Sequence, residues 1–343
     1  MKGRLIAIEP GPPIMAALVV EGRIEDLLIE PPADEEAPRI EEIHRVRVRR
    51  VLGSQGAALV KLAGGVDGYL REAPGVAEGD LALAEVTGFA ERGKAVPLTA
   101  RRLHRGRFAI LTPLAEGVNV ARAVKDREER ARLCAIGEAA LEGAKAGLIL
   151  RSAAVGADEA EIRAEIEALM AREAALAAGG PPGRLAAAPD AAARALREWD
   201  AEDVIREPGA FDRLGLWDEI DRLRSPRVDL TGGGWMAVEP TAALIAVDVN
   251  TGGDLSNAAA ARANLAAAAD LPRQLRIRGL GGQIAVDFAP MRKTDRKAVE
   301  SALRQALSTD PVRTTVAGWT PLGHLELSRK RERRETAPLT PDV

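Results

Sequence analysis

Two short apolar runs, each closed by an aspartate and separated by one long helix-forming stretch, restrict the fold of this chain more than any other feature. The runs are ALIAVDVN (243–250) and QIAVDF (283–288), and the stretch between them, roughly 257–278, is rich in alanine. Strand, helix and strand of this size make a βαβ unit, so the runs are expected as parallel neighbours in one sheet. Parallel strands lie about 4.8 Å apart, so Asp248 and Asp287 reach one point at the carboxyl edge. That edge is where open α/β sheets bind ligands. The second run reads as a buried strand, in which a lone carboxylate demands a partner, a cation or a raised pKa. Two such carboxylates suit a hard divalent cation that keeps several waters, which describes Mg²⁺. Asn250, on the same face as Asp248, is placed to orient a carboxylate or a bound water. A cation there can activate water and neutralise charge on a phosphodiester. The competing account is that each aspartate caps a following turn or helix.

The pattern upstream is different. Residues 1–30 read as a three-strand meander, RLIAIE, MAALVVEG and IEDLLIE, followed by a loop at 31–38. From 43 to about 104 some five short strands with glycine-containing turns match the size of an OB-fold barrel, a module that often binds single-stranded nucleic acid. Between 105 and 172, strands GRFAILTP and AGLILRSAAVG flank a helix at 126–143, and a second helix follows Gly156. Residues 174–195, with their Gly-Gly-Pro-Pro-Gly, read as a linker or loose helix, and TGGG (231–234) as a boundary. After QIAVDF come a helix at 294–308 and strands VRTTVAG and LELS.

Charge is distributed unevenly. The net charge is −3, but residues 92–107 hold Arg92, Lys94, Arg101, Arg102, Arg105 and Arg107 without an acid, and 328–334 is SRKRERR. These stretches suggest a local footprint for phosphates. A single cysteine, Cys134, excludes internal disulfides and a cysteine-cluster metal site within one chain, and no run is long enough to span a membrane. A cytoplasmic location is expected. The three histidines, His44, His104 and His324, are far apart and form no triad; His324 is assigned to packing. Glu239 and Asp254 are candidates for supporting the metal ligands.

Taken together, ALIAVDVN, NLAAAADLPRQLRIRGLGGQIAVDFAPM (264–291) and GHLELSRKR (323–331) closely resemble the catalytic region of the ribonuclease E/G family. Upstream, GAALVKLAGGVDGYL resembles that family's OB barrel and GLILRSAAVG its 5′-sensor segment. The resemblance implies a multidomain α/β chain. A discontinuous RNase H-like domain (1–40 and 196–231) would hold an inserted OB-fold barrel (41–104) and a 5′-sensor region (105–173). A linker (174–195), a DNase I-like catalytic domain (232–331) and a tail (332–343) complete the division. The implied activity is Mg²⁺-dependent endonucleolytic cleavage of single-stranded, often A/U-rich RNA with a preference for a 5′-monophosphate, in RNA processing or decay. Asp248 and Asp287 match the family's metal ligands, and Asn250 its assisting asparagine. Arg151 matches the arginine that grips the terminal phosphate, with Ser152 standing for the usual threonine. Leu59 and Tyr69 match two base-stacking phenylalanines, of which only Tyr69 can stack, and Lys94 lies at a basic RNA contact. The family's Cys-Pro-x-Cys zinc link is missing from this sequence, so no structural zinc is expected and any homo-oligomer would form without it. The loop after Asn250 is shorter than usual, and Pro272 falls inside the long helix, where it should bend it. The alternative reading is a non-catalytic RNA-binding scaffold or regulator derived from the same family. A nucleotide-binding enzyme is disfavoured because no phosphate loop is present.

Overall fold

The computed structural model describes residues 3–31, 37–90 and 93–339. Most of the loop expected at 31–38 (residues 32–36), Arg92 and the last four residues lie outside the described residues. The chain forms two compact units, Met1–Glu35 with Ala201–Val343, and Glu36–Asp200.

In the first unit, the meander Arg4–Glu9, Met15–Val20 and Arg23–Ile29 is antiparallel and almost wholly buried. A fourth strand, Asp203–Arg206, joins it in parallel beside Arg4–Glu9, although nearly 200 residues separate them. Phe211, Leu216 and Ile220 fill the core against this sheet.

The remainder of that unit is a six-stranded sheet in the order Arg227–Asp229, Trp235–Pro240, Ile245–Asn250, Gly282–Asp287, Leu325–Arg329, Thr314–Trp319. The glycine run 231–234 is therefore the turn of a hairpin within one sheet, because Asp229 and Trp235 are cross-strand partners. Burial alternates along the central strands: Ile245, Val247 and Val249 face the core, as do Ile284 and Val286. The second apolar run is thus buried on one face only. Its alanine, Ala285, is too small to cover the opposite face, and Asp287 stands exposed.

Two helices, Asn257–Ile277 and Arg296–Ser308, lie on the buried face and complete the core. Ser256 caps the first, its Oγ accepting from the Ala259 amide at 3.1 Å. This helix continues through Pro272 as one element. Its last two turns are buried on every side, and that packing offsets the roughly 3 kcal/mol an interior proline costs. Three arginines at its C-terminal end tie it to the first sheet and the loop beyond it. Arg273 donates to the Ile24 carbonyl at 2.7 Å, Arg276 to Asp310 at 2.6 Å, and Arg278 to the Ser225 carbonyl at 2.8 Å. Burial pushes the Arg278 pKa down to about 10.

In the second unit five strands close a barrel: Ile43–Leu52, Ala57–Lys61, Asp67–Arg71, Val96–Thr99 and Leu81–Val86, which returns to the first. Val46, Val60, Leu70, Ala84 and Leu98 fill its interior. Residues 174–195 are more ordered than a linker. The helix Glu159–Ala177 stops before Gly179, Gly183–Ala186 adds a sixth strand to the barrel beside Ile43–Leu52, and Ala191–Glu198 is a helix with buried alanines. Glycine and proline end the long helix, and the free edge of the barrel strand then offers hydrogen bonds to the chain that leaves it. A separate sheet, Gly117–Val120, Gly147–Leu150, Ala109–Thr112 and His104–Arg105, packs on helices Arg127–Ala140 and Glu159–Ala177.

His104 gives this unit a pH dependence. Burial holds its pKa below the ordinary value, outweighing the raising effect of Glu173, which it meets at 2.7 Å. A histidine depressed in the folded state stabilises above its unfolded pKa, and that contribution fades as pH falls below about 6.5. Glu173 would be raised by burial, but hydrogen bonds from Arg102 and His104 bring its pKa below the usual carboxylate value, so its own contribution fades below about 4.5. Chemical denaturation at pH 7 and pH 5.5 should show lower stability at the acid pH, and His104→Gln should reduce that difference; an unchanged difference would exclude His104 as its source.

Candidate functional site

The parallel register pairs Asp248 directly with Asp287. Both stand on the exposed face, Asp287 as the last residue of its strand and Asp248 two residues before the end of its own. Asn250 Nδ2 donates to Asp248 Oδ2 at 2.7 Å, holding that carboxylate in one orientation. The hairpin turn makes room for this: a Cβ at Gly234, whose φ is +83°, would overlap the Asn250 carbonyl oxygen. On its other side Asp287 has His324, whose Nε2 lies 3.8 Å from Oδ2. His324 was assigned to packing; it follows the turn after Thr314–Trp319 and reaches the site because Leu325 is the partner of Val286. No short-range sequence pattern carries that information.

Among the described residues no Lys or Arg pairs with either aspartate, and no group of three or more His, Cys, Asp and Glu side chains could hold a metal ion. Two carboxylates side by side, uncompensated by a cationic side chain, repel each other unless a cation lies between them. Two oxygen donors on an open face fit a cation that retains its waters, such as Mg²⁺, and not the three or four nitrogen and sulfur donors that zinc prefers. Asp254, a candidate second ligand sphere residue, is instead occupied locally: it accepts from the Ser256 amide at 2.9 Å. Glu239 is exposed on the neighbouring strand opposite Ala246.

On the barrel, Leu59 and Tyr69 are direct cross-strand partners and sit side by side on the outer surface. The Tyr69 hydroxyl donates to Gln55 at 2.9 Å, and the Arg71 guanidinium lies 5.8 Å from its ring centre. Lys94 is exposed just before Val96–Thr99, whose Pro97 pairs with Tyr69. Leu59 and Tyr69 therefore belong to one surface.

The pair expected to sense the 5′ end is placed differently. Ser152 is exposed at the start of a short 3₁₀ turn, whereas Arg151 is largely engaged. Its Nη1 donates to the carbonyls of Gly106 at 2.7 Å and Arg197 at 3.4 Å, and its Nη2 pairs with Glu198. Most of the two basic stretches is likewise consumed internally. Arg102 binds Glu173, Arg105 binds Glu85 at 2.6 Å, and Arg107 binds the Leu196 carbonyl at 2.6 Å. In the second stretch, Arg329 pairs with Asp310 and Arg333 with Asp26. The expected phosphate footprint is thus much smaller than the run of arginines suggests, because their acids arrive from distant parts of the chain.

The ribonuclease E/G family model matches residues 104–208 and 200–332, more than half of the chain. The chain belongs to the ribonuclease E/G family. Ribonuclease E of Nostoc sp. (strain PCC 7120) is 32% identical over 271 residues, covering 66% of this chain and 39% of that protein. Ribonuclease G of Escherichia coli K12 is 31% identical over 269 residues, covering 66% of this chain and 55% of that protein. Over a shorter span of 128 residues, ribonuclease G of Salmonella typhimurium SL1344 is 39% identical. The chain thus spans about half or less of the length of these relatives. The first family segment holds Arg151 and Ser152, the second Asp248, Asn250 and Asp287.

Proposed function

We propose that this chain is a divalent-metal-dependent endoribonuclease that hydrolyses single-stranded RNA. The observation that carries the reading is the register of Asp248 against Asp287 on the open face of an α/β sheet, in a chain of the ribonuclease E/G family. A packing role gives no reason to place two carboxylates together without a counterion. Asp248 and Asp287 would hold Mg²⁺, and the Asn250 amide keeps the Asp248 carboxylate turned for that task. When bound, the cation supplies charge neutralisation at a phosphodiester and a more acidic water. The exposed sheet face leaves space for a single strand to approach both carboxylates: Ala237, Ala246 and Ala285 beside them are small, and Asn250 and His324 are the polar side chains next to them.

On this reading the closed barrel is the family's OB module, whose Tyr69 stacks on a base while Lys94 contacts the backbone. Leu59 contributes apolar contact but no ring. The sheet at 4–29 with 203–206 would be the RNase H-like part and the sheet at 227–329 the DNase I-like part. Arg151 and Ser152 would read a 5′-monophosphate. A/U-rich RNA is the expected substrate, in processing or decay.

Cleavage of a short A/U-rich RNA with Mg²⁺ or with EDTA tests this directly. Cutting that needs the cation, and that leaves 5′-phosphate ends, is expected; tight binding without cleavage in any divalent cation would leave a binding protein instead. Tyr69→Ala should weaken binding of the same RNA by roughly 5- to 100-fold, the worth of one base stack. Fluorescence anisotropy measures it, and unchanged binding would remove Tyr69 from the RNA path.

A further inference from the structure

The guanidinium proposed to read the 5′ end already has a carboxylate on it. Glu198 ends the helix Ala191–Glu198, where the exposed carbonyls give the helix its negative pole. A glutamate is disfavoured at such a pole unless cations surround it. Here two do: Glu198 Oε1 accepts from Arg197 Nε at 2.8 Å, and Oε2 pairs with Arg151 Nη2. Arg151 also donates to the Arg197 carbonyl in the last turn. Arg197 is in addition held by both oxygens of Glu41, at 2.7 and 2.8 Å.

The two partners of Glu198 therefore differ in how much they depend on it. Arg197 stays neutralised by Glu41 whether or not Glu198 is shared. Arg151 has Glu198 as its one carboxylate partner among the described residues, and the Glu198 side chain is 32% exposed. An incoming dianionic phosphate can take Arg151 from Glu198 without stranding either arginine, since Glu198 keeps its bond to Arg197. We infer that Glu198 is a specificity-determining residue: it occupies Arg151 in the free protein and competes with an RNA 5′-monophosphate, setting how strongly the chain distinguishes phosphorylated from unphosphorylated 5′ ends. Charge-assisted bonds to a guanidinium are the strong ones, so the competition is between a planar monoanionic carboxylate and a tetrahedral phosphate of higher charge, both able to accept from the same guanidinium.

This rests on the reading of Arg151 as the phosphate contact, and the test separates the two. Binding of one short RNA, bearing either a 5′-monophosphate or a 5′-hydroxyl, is measured by anisotropy in EDTA, so that cleavage does not enter. The readout is the ratio of the two affinities for the unmodified chain, Glu198→Gln, Glu198→Ala, Arg151→Gln and Glu198→Gln with Arg151→Gln. Thermal unfolding of each variant reports whether it is folded, and Glu198→Gln keeps the side chain's shape. Glu198→Gln should raise the ratio roughly five-fold, the scale of one partly exposed charge pair, and the added Arg151→Gln should return it to one. A ratio unchanged or lowered by both Glu198 variants, while Arg151→Gln collapses it, overturns the competition and makes Glu198 a support for Arg151. A ratio that Arg151→Gln leaves untouched in both backgrounds overturns the sensor reading together with it.

Discussion

Asp287→Asn is expected to lower RNA cleavage by at least about 10²–10³-fold while leaving the fold intact, a loss comparable to removing a group that stabilises charge in the transition state. The substitution keeps the shape of the side chain and removes one charge from an exposed position. Substitutions of that kind away from structural features alter stability by no more than about 0.5 kcal/mol. Asp248→Asn should behave the same way, and the double variant should be little worse than either single one, because two groups that hold one cation act as a unit. Asn250→Ala should cost less, about 10- to 100-fold, since it acts through the Asp248 carboxylate that it orients. Single-turnover rates at saturating RNA, with Mg²⁺ varied, measure these effects. Wild-type cleavage that persists in EDTA, or an Asp287→Asn rate within a few-fold of wild type, would sink the metal-site reading.

The largest stability effect should come from Asp310, far from the site in function. Its carboxylate is fully buried and accepts from Arg276 at 2.6 Å and pairs with Arg329 at 3.1 Å, while it also accepts from the Val312 amide at 2.7 Å. Both guanidiniums are nearly inaccessible, and burial lowers the Arg329 pKa although Asp310 opposes the shift. Asp310→Ala leaves two buried cations short of their shared anion, which should cost about 3–5 kcal/mol. Replacing Asp310 and Arg329 together with apolar residues of similar volume should recover the part of that loss due to Arg329, while Arg276 keeps its pairing with Glu25, since what destabilises is the unpaired charge and not the absence of a pair. Urea denaturation of the three proteins decides it; a loss under about 1 kcal/mol for Asp310→Ala would mean that water reaches the arginines.

Local pattern was a good guide wherever the physics is local. The two apolar runs IAVDVN and QIAVDF, with one helix-length stretch between, leave few options other than parallel neighbours, and the structure pairs Asp248 with Asp287, although it buries the second run on one face only. The barrel was legible for the same reason: short alternating runs with glycine turns cannot bury their apolar faces except by closing on one another. Turn residues misled where composition stood in for pairing. The glycine run at 231–234 serves one hairpin, and the Gly-Gly-Pro-Pro-Gly segment connects a helix to an added barrel strand.

Charge was the least legible property, because the energy of a charged side chain depends on what lies within a few ångströms of it and not on its neighbours in sequence. A run of arginines reads as a phosphate surface until Glu173, Glu85 and Asp310 arrive from elsewhere to neutralise it. His324 is unremarkable in GHLELSRKR and becomes a neighbour of Asp287 only because a turn brings its strand alongside. Arg151 is the same residue in both views, yet only the folded chain shows Glu198 bound to it. Apolar periodicity therefore determined the sheets and the place of the two aspartates. Which cations and anions remain for a ligand was settled by long-range packing, which no window of sequence contains.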